Sequence, residues 1–101
     1  MGARSREVVF SPDASRQFRK LRASSRARLK GAIRLRLQTE DATLEDRNRF
    51  RLRRLSPWAS YELRVDAWRV FYRVRDNRVE VVLIGTKRGE KLIIDGQEFI
   101  L

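Results

Sequence analysis

The hydrophobic period of this chain changes once, and that change limits the folds open to it. Up to Leu37 apolar side chains recur at helical intervals, whereas from Phe50 onward they alternate with charged ones. The first spacing lines one stripe of a helix, and the second lines one face of a strand. Ala14, Phe18 and Leu21 mark a first helix. Ser11 suits its N-cap, Pro12 its first turn, and Asp13 the positive end of its dipole. Ser24-Ser25 is expected to break and recap the chain before a second helix carrying Leu29, Ile33 and Leu37, with Leu35 beside that stripe. The two pieces predict an αα-hairpin, preceded by a short β-prone segment over Glu7–Phe10.

Thr39 to Asn48 is polar and reads as a loop. Beyond it Phe50 and Leu52, with Leu55 as a further member, alternate with Arg49, Arg51 and Arg53. Tyr61, Leu63 and Val65 alternate with Glu62, Arg64 and Asp66, and Trp68, Val70, Tyr72 and Val74 with Arg69, Phe71, Arg73 and Arg75. Each run predicts a strand with one apolar and one charged face. Asp66-Ala67 and Asp76-Asn77 suit tight hairpin turns. Val79 to Ile84, apolar at nearly every position, predicts a central strand covered on both faces. An Asp95-Gly96 turn predicts a small terminal hairpin over 92–101. The expected architecture is α+β: a short N-terminal strand, an αα-hairpin, then an antiparallel β-meander with the helices on one sheet face. At 101 residues this is expected to be a single domain spanning 1–101.

Composition narrows the chemistry. The sequence has neither cysteine nor histidine, so disulfides, thiolate nucleophiles, Cys/His metal sites and His-dependent hydrolysis are excluded. No metal or organic cofactor is implied, since neither a ligand cluster nor a glycine-rich phosphate loop is present. No stretch approaches the ~20 apolar residues of a membrane span, and no apolar segment follows the basic N-terminus as in a secretory signal. A cytoplasmic protein with no membrane partner is therefore expected. The 24 basic residues outnumber the 13 acidic ones to give a net charge of +11, a field that favours polyanionic partners. Twenty of the 24 are arginine, whose planar fork suits bidentate phosphate recognition.

Nine basic residues and no acidic one lie between Arg16 and Arg36, and a solvated helix face accounts for most of them. The charged strand faces carry more information. By alternation Arg49, Arg51, Arg53, Arg64, Arg69, Arg73 and Arg75 project away from the core, with Lys87 and Arg88 just past the buried strand. If those strands are neighbours, the guanidinium groups form one basic concavity able to hold a phosphate. Phe71 breaks the alternation and sits among arginines, which opens base stacking to it beside core packing.

The run from Tyr61 to Val74, YELRVDAWRVFYRV, resembles the Y-x-L-R-x-x-x-Y-R-x-x-Y segment of RelE/ParE superfamily toxins of type II toxin–antitoxin systems. Val81 to Arg88, VVLIGTKR, is similar to that family's closing strand with its G-x-K-R ending. The resemblance extends from residue 7 to about residue 90. The RelE-like branch is the one expected here, and it implies ribosome-dependent mRNA cleavage, an endoribonuclease reaction in which a 2′-hydroxyl attacks the adjacent phosphate and translation stops. It then assigns Arg69 and Arg88 to the reacting phosphate, with Lys87 alongside, and Arg51, Arg53 and Arg64 to RNA contact, with Arg73 and Phe71 nearby. The lysines of the family's second meander strand fall here on Ser60 and Glu62, and its C-terminal tyrosine falls near Ile94. Glu62 and Lys87 are left as the proton-transfer candidates. In the ParE branch the resemblance implies inhibition of DNA gyrase without such a set. A catalytically degenerate RNA-binding homologue is the other alternative. Each branch implies an acidic antitoxin that folds over the basic surface in a hetero-oligomer.

Overall fold

In a computed structural model, residues 5–53 and 56–99 are described. Leu55 and the Ile100-Leu101 end of the expected hairpin lie outside them. The chain runs β1 (Glu7–Phe10), α1 (Pro12–Arg19), α2 (Ala23–Ile33), a π-helical segment (Arg34–Thr39), β2 (Arg49–Arg51), β3 (Tyr61–Val65), β4 (Trp68–Arg75), β5 (Arg78–Arg88), β6 (Lys91–Ile94) and β7 (Gln97–Glu98). This is the α+β architecture the periodicity predicts. The antiparallel order β2-β3-β4-β5-β6-β7 is joined by β1, which pairs in parallel with the first half of β5. β6 pairs with the second half of β5, so β5 is the central strand. Three turns use an aspartate at positive φ: Asp66 (52°), Asp76 (53°) and Asp95 (54°). Aspartate tolerates this left-handed region better than most side chains. Among the described residues no helix is long and apolar enough to cross a membrane.

α1 begins as the sequence indicates, with the Ser11 Oγ accepting from the Ala14 N–H at 3.0 Å. The helix break does not fall at Ser24-Ser25, which lie in the first turn of α2. It falls at Lys20–Arg22, where no side chain caps α2. Arg26 instead donates to the carbonyls of Arg19 and Leu21, closing the end of α1 from the next helix. A long cation thus satisfies helix-end acceptors that a local cap would otherwise serve.

The main core lies between helices and sheet, with Ala14, Leu29, Leu37, Leu63, Val70, Tyr72, Val79 and Val81 fully buried. Tyr61 and Tyr72 stack across β3 and β4 at 5.2 Å between centroids. A second, smaller core covers the opposite sheet face, where Ala59, Phe71 and Ile94 are buried beneath Trp58, Leu83, Leu92 and Phe99. Trp58 meets Phe71 and Phe99 edge-on at 5.9 and 5.5 Å. Gly85 is needed here for space, because a Cβ on it would stand 2.8 Å from the Ile94 side chain.

The second core corrects the expected orientation of β2. Arg49 pairs with Leu63 and Arg51 with Tyr61, so both arginines share the helix-side face, while Phe50 shares the other with Glu62. The outer face of the sheet is therefore not one charged concavity, since an apolar layer occupies its middle.

Candidate functional site: an arginine-lined cleft

A basic concavity lies between α2 and the β3–β4 hairpin. This open cleft of about 720 Å³ is lined by Arg28, Arg36, Arg47, Arg64 and Arg69, by Asn48, and by Ala32, Leu35 and Val65, with Asp66 the one carboxylate in its wall among the described residues. Register explains two of the arginines. Arg64 and Arg69 stand directly opposite each other across β3 and β4, where like charges repel. Glu62, two residues along β3 and 7% exposed, is the carboxylate they share. It accepts from the Arg64 Nε at 2.8 Å and lies 3.8 Å from the Arg69 Nε.

Arg69 is the more confined of the pair, with its side chain 14% exposed and its Nη1 donating to the carbonyls of Asp66 and Trp68 at 2.8 and 3.0 Å. Burial, then the charge of Arg64, push its pKa below the ordinary arginine value, while Glu62 opposes them. Arg64 also lies over the Phe50 ring, 4.9 Å from its centroid.

The helical wall is set by α2 and the π-helical segment. Arg28 reaches across the cleft and grips the Asp66 carboxylate with its Nε and, at 2.9 Å, its Nη2. Through this pair Asp66 is held ionised below the usual carboxylate range. In the π-helical segment the Glu40 N–H bonds to the Leu35 carbonyl at 2.9 Å, five residues back. That wider turn carries Arg36 and the half-exposed Leu35 to the cleft wall. π-Helical insertions are rare and concentrate at functional sites. Arg36 pairs with Glu40 and Asp46, whereas Arg47 has no ion-pair partner among the described residues.

The other arginines predicted from the sequence are distributed unevenly. Arg53 and Arg51 line a second cleft of about 560 Å³, which shares Arg64 with the first. The Arg51 guanidinium rests on the Tyr61 ring, 5.5 Å from its centroid. Arg73 pairs with Glu80 at 2.9 Å, toward the opposite end of β4 from Arg69. Lys87 follows Gly85, the partner of Arg69, by two positions on the same strand face, and its Nζ donates to the Glu90 carbonyl at 3.2 Å. Arg88 is exposed at the end of β5 and lines neither cleft.

Two expected positions are corrected. Phe71 is fully buried in the second core and has no ring face to offer a base. Arg49 is 4% exposed, so it is no part of a basic surface. It donates to the carbonyls of Leu44 and Arg36 at 2.6 and 2.7 Å and to the Glu40 carboxylate at 2.9 Å.

Arg28, Arg36 and Arg47 are the cleft residues that strand alternation missed. The signal was present for two of them, because Arg28, Ala32, Leu35 and Arg36 form a stripe at helical spacing beside the core stripe Leu29–Ile33–Leu37. Among the described residues no group of acidic side chains is placed to hold a metal ion.

Over residues 8–90 the chain matches the family described as the ParE toxin of type II toxin–antitoxin system, parDE. The chain belongs to the ParE toxin family. Comparison with curated proteins gives no match. Membership makes it a toxin of a type II toxin–antitoxin system and implies an antitoxin as its partner. The match begins within β1 and ends just beyond β5, so it takes in both walls of the cleft.

Proposed function

We propose that this toxin acts by engaging DNA gyrase through its basic surface, with no bond-breaking chemistry of its own. The observation that carries this reading is the state of Glu62. The carboxylate is buried and held by Arg64, with Arg69 beside it, as the counterion of a repelling pair. A general base needs to accept a proton within reach of substrate, and a carboxylate committed to two guanidinium groups is poorly suited to that task. Tyr72 is no substitute, since its hydroxyl donates to the Ala42 carbonyl at 2.8 Å and burial pushes its pKa well up.

A second reading is ribosome-dependent mRNA cleavage, favoured by the adjacency of Arg64 and Arg69 to the Glu62 carboxylate. There Arg69 and Arg88 would stabilise the phosphate, and Lys87 and Glu62 would move protons. One pair of measurements separates the two. Purified toxin added to gyrase, ATP and relaxed plasmid is expected to block supercoiling or trap cleaved DNA, and mRNA 5′ ends mapped in induced cells are expected to be unchanged. Cuts within translated messages that vanish in Arg69→Ala, with gyrase unaffected, would assign the protein to the second reading.

A further inference from the structure

We infer that the outer edge of β1, with the apolar groove beside it, docks an extended acidic peptide segment that adds to the sheet as a further strand. The backbone gives the first reason. The Glu7 and Ser11 N–H groups donate to the carbonyls of Asn77 and Val81, each at 2.9 Å, so the odd-numbered residues of β1 address β5. The Arg6 N–H points the other way, to the Gln38 carbonyl at 3.2 Å. Val8 and Phe10 share that outward direction, and among the described residues no strand lies beyond them. The edge at β2 is blunted by contrast. There the Glu45 Oε1 accepts from the Arg51 N–H at 2.9 Å, and the Asp46 N–H donates to the Arg49 carbonyl at 2.7 Å. β1 has no such cover among the described residues, and an uncovered edge is a template for strand addition.

The groove says what kind of segment fits. It holds about 310 Å³ and is lined by Val8, Phe10, Phe18 and Ile33, with Lys30 and Arg34 beside them. Arg28 and Arg36, on the cleft face of the same helical run, are ion-paired, whereas Lys30 and Arg34 have no ion-pair partner among the described residues. Glu7, the carboxylate of β1, alternates away from the groove and lies 3.9 Å from Arg78. On the face toward α2, apolar side chains of the added strand fill the groove and acidic ones meet Lys30 and Arg34. A second copy of a chain with net charge +11 would bring the same cations to both sides, so an acidic partner is favoured over self-pairing. This face of α2 is turned away from the arginine cleft, and the inference does not rest on gyrase being the target.

The test is fluorescence anisotropy of the full chain with a labelled peptide repeating Val-Thr-Glu-Thr, which as a strand sets Val and Glu on one face and Thr on the other. Removing Lys30 and Arg34 together as alanines is expected to weaken binding about tenfold, and removing Arg47 and Arg88 together less than about twofold. Equal losses in the two double variants would overturn the inference by reducing it to net charge. Two N-methylated peptides test the mode, one methylated at every Thr and the other at every Val and Glu. In an added strand only one of these sets of N–H groups faces β1, so one peptide is expected to lose binding and the other to keep it. Equal effects of the two, whether loss or retention, would overturn strand addition. A chain that sediments as a dimer without peptide, and as a monomer in a folded Val8→Pro variant, would overturn the inference in favour of a second copy at this edge.

Discussion

Arg47 and Arg49 stand two positions apart in the sequence and meet opposite surroundings. Arg49 is enclosed, donating to two carbonyls and a carboxylate at the end of the π-helical segment. A cation there also meets the negative end of the helix dipole. Arg47 lies on the cleft wall with no ion-pair partner among the described residues. The same side chain is thus structural where acceptors converge on it and available to a ligand where they do not. Net charge alone does not distinguish the two cases. The count of acceptors around each guanidinium does.

The largest expected effect comes from reversing the first case. Arg49→Ala leaves the Arg36 and Leu44 carbonyls and part of Glu40 without their donor, and should lower unfolding free energy by about 3 kcal/mol. Arg47→Ala should stay within about 0.5 kcal/mol in the same urea titration. Equal losses would break the comparison. A smaller effect follows from Tyr72→Phe, which removes the bond to the Ala42 carbonyl that ties the 40s loop to β4. About 1 kcal/mol is expected, with faster amide exchange confined to that loop.

The same loop supplies a pH test. The Thr43 hydroxyl and N–H, with Arg6, hold the Asp41 carboxyl at about 2, below its usual 3.8. A pKa depressed by folding adds stability above the unfolded value and loses it as pH falls through the folded one. Wild type should therefore exceed Asp41→Asn by about 1 kcal/mol at neutral pH, after allowance for solvent screening, and the gap should close between about pH 4 and pH 2. Denaturation midpoints measured across that range check it. A gap that persists at the acid end would place the stabilisation elsewhere than in the Asp41 charge.

Much of the fold was legible because it depends on local patterns. The Ser11-Pro12-Asp13 start of α1, the alternation of β3 and β4 and the aspartate turns are each written in neighbouring residues. The orientation of β2 was not, because Arg49 reads as a surface residue until Arg36, Glu40 and Leu44 are brought around it. The helix break was displaced for a similar reason, since Arg26 closes α1 from outside it. Of the cleft, the strand arginines Arg64 and Arg69 followed from alternation. Its helical wall was written in part, as the stripe Arg28–Ala32–Leu35–Arg36, whereas the π-helical turn at its end is announced by no periodicity.

The reading of Glu62 as a counterion is the point on which the functional account turns. Growth arrest on induction of Glu62→Gln, which keeps the shape and an acceptor but removes the charge, tests it most directly. Arrest that persists, with gyrase still inhibited by the purified variant, is the predicted result. Loss of arrest in a variant that remains folded and still binds its antitoxin would contradict it and make the carboxylate a participant in chemistry.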